Sequence, residues 1–120
     1  MPKCDEKPWD SFINPPIFPP NSSHQNDGKI TLKDTAGDLT GEHDVGGGTV
    51  FKDIKGKCRK TPDRMKFDSV EKEITFTYCG MIIEVSGKTF VVGCRTQTSS
   101  KDRKPLADGD DEVWVGVKST

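Results

Sequence analysis

His43 followed by Asp44 is the one place in this 120-residue chain where a histidine stands beside a carboxylate, the pairing that a nucleophile relay uses. A relay also needs a serine, cysteine or threonine within reach of the imidazole, and the sequence places none there. The pairs Glu42/Asp44 and Asp110/Glu112 each share one face of an extended segment, as acid–base carboxylates could, but they fall at strand ends where charges are commonly solvated. Metal chemistry lacks its usual spacing. The histidines, His24 and His43, are far apart, and Cys4, Cys58, Cys79 and Cys94 form no C-x-x-C pair. The acidic "DGDDE" at 108–112 lacks the alternating order of a calcium loop. Gly46 to Gly48 lack the Lys-Ser/Thr ending of a phosphate loop. No catalytic residue, cofactor or metal is therefore expected, and the protein reads as a binder and not an enzyme.

The elements that would carry any site are strands. Residues 1–28 form a Pro-rich N-terminal arm, ending in "KPWDSFINPPIFPPNSSHQNDG", whose prolines exclude a helix interior. Trp9, Phe12 and Phe18 are apolar enough to dock this arm on the remainder, residues 29–120, in preference to serving as a PxxP ligand through Pro16 and Pro19. Ile30 and Leu32 alternate with polar residues, Ala36-Gly37 turns the chain and "DLTGEH" returns, which is a hairpin. The glycines at 46–48 make a second hairpin loop, and "RKTPD" makes a third turn. Counted with an arm strand near Trp9, strands are expected near 29–34, 38–44, 49–58, 64–69, 73–85, 88–96 and 112–118. In the last of these, Val113, Val115 and Val117 share one face and Trp114 takes the other. The pattern predicts an all-β fold, an eight-stranded antiparallel up-and-down β-barrel whose lumen is filled by side chains or holds one small molecule.

The most apolar run, "ITFTYCGMIIEVSGKTFVVGC", contains two glycine steps. Ser86-Gly87 suits a tight hairpin turn, whereas Cys79-Gly80 does not. The apolar set also shifts from even positions (Ile74, Phe76, Tyr78) to odd ones (Met81, Ile83, Val85), which predicts a β-bulge at Cys79-Gly80 inside one long strand. Ile30, Leu32, Ile54, Met65, Phe67, Phe76 and Phe90 are the candidate lumen residues: closing it with no pocket would disfavour small-ligand binding, and a pocket reached from the loop ends would favour it. Pairing outward from Ser86-Gly87 brings Cys94 beside Cys79, so these two are expected to be linked or in contact, leaving Cys4 and Cys58 to pin the arm. Four reduced thiols are the alternative.

Composition narrows the partners. With 31% hydrophobic residues and a mean hydropathy of −0.68, a single thin-cored domain needs staples. An even cysteine count in such a domain favours disulfides and a secreted or extracytoplasmic location, and "NSS" at Asn21 fits a glycosylation acceptor. The opening "MPKCDEK" is not followed by the apolar core of a signal peptide. Eighteen Lys+Arg against 19 Asp+Glu leave no overall basic excess to attract nucleic acid or an anionic membrane. The expected partner is a small molecule or another protein, with a homo-oligomer left open.

In order along the chain, "AGDLTGEH", "DIKGKC", "TFTYCG", "TFVVGCRTQTSS" and "DEVWVGVKST" resemble the strand pattern of the avidin and streptavidin family, over most of residues 28–120. That resemblance implies a ligand-binding barrel and nominates His43, Tyr78, Glu112 and Trp114 as ligand contacts. It also implies a changed site. His43 stands where the family has tyrosine, Tyr78 and Cys94 where it has tryptophan, and Glu112 where it has aspartate. The expected function is non-enzymatic small-ligand binding by an avidin-like fold with a degenerate biotin site. The alternative is a secreted protein-binding module, an inhibitor or effector, with a filled barrel and functional loops.

Overall fold

Successive side chains of a strand point to opposite faces, so closing a sheet on itself sorts the sequence into a lumen set and a wall set. The computed structural model describes residues 8–13, 25–60, 63–105 and 112–118. It contains β1 (Trp9–Ile13), β2 (Gln25–Thr35), β3 (Asp38–Gly46), β4 (Thr49–Lys60), β5 (Asp63–Glu71), β6 (Ile74–Val85), β7 (Lys88–Ser99) and β8 (Glu112–Lys118). Each strand pairs antiparallel with the next, and β1 pairs with β8 to close the barrel. The expected up-and-down architecture is the fold. Part of the expected arm is one of its staves: Trp9 lies opposite Ile30 on one side and Lys118 on the other, with only 1% of its surface exposed. Phe18 and the side chain of Phe12 lie outside the described residues.

Turn chemistry fixes the pairing. Ala36-Gly37 (φ 53° and 92°) and Ser86-Gly87 (φ 52° and 79°) both have two residues at positive φ, the conformation that matches the right-handed twist of the flanking strands. Gly46 at the end of β3 and Gly47 and Gly48, which connect it to β4, likewise have positive φ.

The bulge expected at Cys79-Gly80 is not there. β6 pairs with β7 residue for residue from Ile74↔Ser99 to Val85↔Lys88. Phe76, Tyr78, Gly80 and Ile82 therefore stay on one side, and Met81, Ile83 and Val85 stand on the outer wall, exposed. Phe90, expected in the lumen, lies opposite Val117 on that wall, while its neighbour Val91 points inward and is buried. The register irregularities fall instead at Ser11/Phe12 of β1, and at Gly41/His43 and Asp44/Gly46 of β3.

Cys79 and Cys94 are directly opposite, as the register required, but they are thiols and not a disulfide. Directly opposed Cβ atoms in a ladder lie about 4.5–5.5 Å apart, wider than the roughly 3.8 Å typical of a disulfide, so register alone does not form the bond. Cys58 is buried and disulfide-bonded. Its expected partner Cys4 lies outside the described residues.

Inside, Ile30, Leu32, Leu39, Ile54, Met65 and Phe67 join Trp9, Tyr78 and Trp114 in the core. Burying each large apolar side chain contributes about 1.5–3 kcal/mol, which is how a chain with few hydrophobic residues still forms a stable interior. Gly116 makes room for the tryptophans, since a Cβ there would lie 2.6 Å from Val91 Cγ1 and 3.3 Å from the Trp9 ring.

Candidate functional site

An up-and-down barrel has two ends, and several polar residues with inward parity gather at one of them. The tight turns Ala36-Gly37 and Ser86-Gly87 mark the opposite end. His43 is near the finish of β3, Glu71 ends β5, Gln97 is near the finish of β7 and Glu112 opens β8, so all four stand at the end where β3–β4, β5–β6 and β7–β8 connect. The start of the β7–β8 connection is fastened there. Ser100 N donates to Glu73 O at 2.9 Å, and the Ser100 hydroxyl bonds Thr75 Oγ1 at 2.9 Å.

Two charged clusters occupy this end. In the first, His43 Nδ1–H donates to Glu71 Oε2 at 2.9 Å, and the Ser69 hydroxyl donates to the same oxygen at 2.8 Å. In the second, three donors converge on Glu112 Oε1: Arg95 Nη2 at 2.8 Å, Arg95 Nε at 3.2 Å and Gln97 Nε2 at 2.9 Å. Tyr78 joins them. Its ring meets the His43 imidazole edge-on at 6.3 Å, and its hydroxyl accepts from Arg95 Nη1 at 3.4 Å. The Arg95 guanidinium also lies 4.5 Å from the centroid of the Phe76 ring.

Below the clusters the lumen is filled. Phe67 stacks on Tyr78 at 4.8 Å, and Trp114 packs edge-on against Tyr78 at 4.9 Å and Phe67 at 5.8 Å. Trp114 Nε1–H donates to Ser11 Oγ of β1 at 2.6 Å.

All four residues nominated from the sequence thus lie on the inner side, three of them in one polar layer with Trp114 beneath. His43, Tyr78 and Trp114 are buried, while the Glu112 side chain keeps 23% of its surface exposed. Cys94 faces the wall and cannot line the lumen; its inward neighbours are Gly93 and Arg95. Sequence reasoning missed Ser11, Ser69, Glu71, Arg95 and Gln97. The signal that could have found them is parity. Counting by twos from the inward Tyr78 partner Arg95 gives Gln97, and from Phe67 gives Ser69 and Glu71.

Both carboxylates are held through a single oxygen. All the bonds of Glu112 end on Oε1 and those of Glu71 on Oε2, so among the described residues Glu112 Oε2 and Glu71 Oε1 have no partner. An ionised carboxylate accepts on both oxygens. The arrangement can therefore accept hydrogen bonds from an incoming group at two points on one rim. No group of three or more metal-ligating side chains occurs among the described residues. Comparison with known proteins finds no matching family model, no matching curated protein and no matching solved structure.

Proposed function

We propose that the protein is a non-enzymatic small-ligand-binding barrel, avidin-like in architecture, that takes a flat, partly polar molecule bearing N–H or O–H donors at the polar end of its lumen. The observation that carries this reading is the pair of carboxylates, Glu71 and Glu112, each fixed by protein donors through one oxygen and unengaged at the other among the described residues. Burying charge is expensive, and a barrel that needed only to be filled would place aliphatic residues there. Glu71 and Glu112 would accept from the ligand, Arg95 and Phe76 would cover one side of it, and Tyr78 would form the floor. Biotin should bind weakly or not at all, because Phe67, Tyr78 and Trp114 fill the space beneath the rim.

Trp114, 4.9 Å from Tyr78, reports on this layer. Its fluorescence should respond to one or more members of a panel of flat amides, cyclic ureas and aromatic amines, with Kd in roughly the micromolar range. Glu112→Gln should weaken that response about tenfold. Nanomolar biotin binding would show that the site is not degenerate. No response to any compound would sink the reading in favour of a protein-binding module with a filled barrel.

A further inference from the structure

The outer wall of β4 to β7 carries a second surface that the lumen does not explain. A hollow of about 640 Å³ lies against the outer side of the sheet at Gly56, Gly80 and Gly93. Five cations border it: Lys55, Lys57 and Arg59 from β4, and Arg64 and Lys66 from β5. Asp68 is the one acid among its lining residues. The lining therefore holds a net of four positive charges in a chain whose formal net charge is −1, which leaves a net of five negative charges on the rest.

These cations are arranged against their own stability. Lys57 lies directly opposite Lys66, and Arg59 directly opposite Arg64. Like charges in that relation destabilise a sheet. The offsets are partial: Lys57 pairs with Asp38 and Lys55 stands opposite Asp68, but Arg59, Arg64 and Lys66 have no ion-pair partner among the described residues. Asp68 accepts from Thr77 Oγ1 at 2.7 Å and pairs with Arg103 at 3.4 Å, so its charge is already engaged.

We infer that this wall binds an extended acidic segment of a partner protein. Cations at every second residue of β4 and β5 stand about 6.5–7 Å apart along each strand, the interval between alternate side chains of an extended peptide. A peptide with carboxylates at alternate positions matches that row. Beside it lies an aliphatic strip: Arg64 is opposite Met81, and Met81 opposite Val92, with 46% and 40% of their surfaces exposed. A leucine or valine flanking the acidic run would cover the strip, which a sulfated glycan could not do. Single-stranded nucleic acid is disfavoured because its bases require exposed aromatic platforms, and Phe67, the aromatic residue of the lining, is buried.

The test uses the whole protein and a fluorescein-labelled peptide with glutamate at alternate positions and a leucine at one end. Anisotropy should show binding at low salt with Kd on the order of 10 µM, weakened several-fold at about 0.15 M salt. Joint substitution Arg64→Glu and Lys66→Glu turns both like-charge pairs into opposite-charge pairs. It should weaken binding by more than about tenfold while the melting temperature stays level or rises, and the lumen response of Trp114 should not change. Met81→Ser should weaken the leucine-bearing peptide but not one in which serine replaces the leucine. Equal binding by the charge-reversed protein, tighter binding of a heparin fragment or an oligonucleotide, or a second copy of the chain occupying this face in sedimentation would each overturn the inference.

Discussion

Replacing Glu112 by alanine would remove the acceptor on which three donors meet and take the Glu112 carboxylate away from the Arg95 guanidinium, which is 6% exposed in the lumen. Breaking a fully buried pair from one side costs about 3–5 kcal/mol. Glu112 is partly open to water and Arg95 keeps the Tyr78 hydroxyl and the Phe76 ring, so the cost here should fall to about 2–3 kcal/mol. In a domain of this size that lowers the melting temperature by roughly 8–12 °C. Joint replacement Arg95→Met with Glu112→Leu should recover most of the loss, because removing both charges removes their desolvation cost as well. Thermal melts followed by circular dichroism, with urea titrations of the two single variants and the double, give the coupling energy directly. If Glu112→Ala melts within about 2 °C of the native protein, the pair is not structurally engaged and the magnitudes worked here are wrong. A double variant that regains stability yet no longer responds to any ligand would separate the binding role of the pair from its structural one.

Trp9→Ala should cost about 3–5 kcal/mol in urea unfolding, and Trp9→Phe roughly half of that or less, since the buried indole N–H has no acceptor among the described residues and its loss leaves no unmet bond. Gly93→Ala would put a Cβ 1.8 Å from the Cys79 carbonyl oxygen, so it should destabilise by about 1–3 kcal/mol even though alanine is small. Non-reducing peptide mapping should recover Cys79 and Cys94 as alkylated thiols and a Cys4–Cys58 bridge, whose reduction lowers stability by about 2–4 kcal/mol; a Cys79–Cys94 peptide would contradict the first part. Deleting residues 1–20 removes β1 and exposes the facing edges of β2 and β8, so the truncated chain should lose more than about 10 °C of melting temperature and aggregate.

Turn chemistry was the most legible part of the sequence. Ala36-Gly37 and Ser86-Gly87 demand positive φ, and each fixes the register of its hairpin, which is why the cysteines at 79 and 94 could be placed opposite one another. In β6 the rule that apolar residues face inward fails. Met81, Ile83 and Val85 face outward, and only a bulge would have brought them in. Their exposure is a property of the wall, where they continue the aliphatic strip beside the cationic row, and a single sequence offers no mark that distinguishes such a face from a core. Arg95 was missed for the converse reason. A charged residue in a strand reads as solvated until its partner is known, and Glu112 lies 17 positions away across a long connection.

Period two also makes the two proposed surfaces separable. Lys66 and Phe67 are neighbours in β5, yet one projects from the wall and the other closes the lumen. Their electrostatics differ in sign and in screening. The rim of the lumen holds Glu71 and Glu112 against Arg95 and calls for donors, whereas the wall holds an excess of cations and calls for carboxylates. Raising the salt to about 0.15 M shortens the Debye length to about 8 Å, which screens the exposed row of cations but reaches the buried pairs far less. One salt titration of the same sample, read by peptide anisotropy and by Trp114 fluorescence, should therefore weaken the wall complex several-fold while the lumen complex changes by less than about twofold. Parallel losses in both signals would mean that the two readouts report a single site, and the separation of lumen from wall would have to be given up.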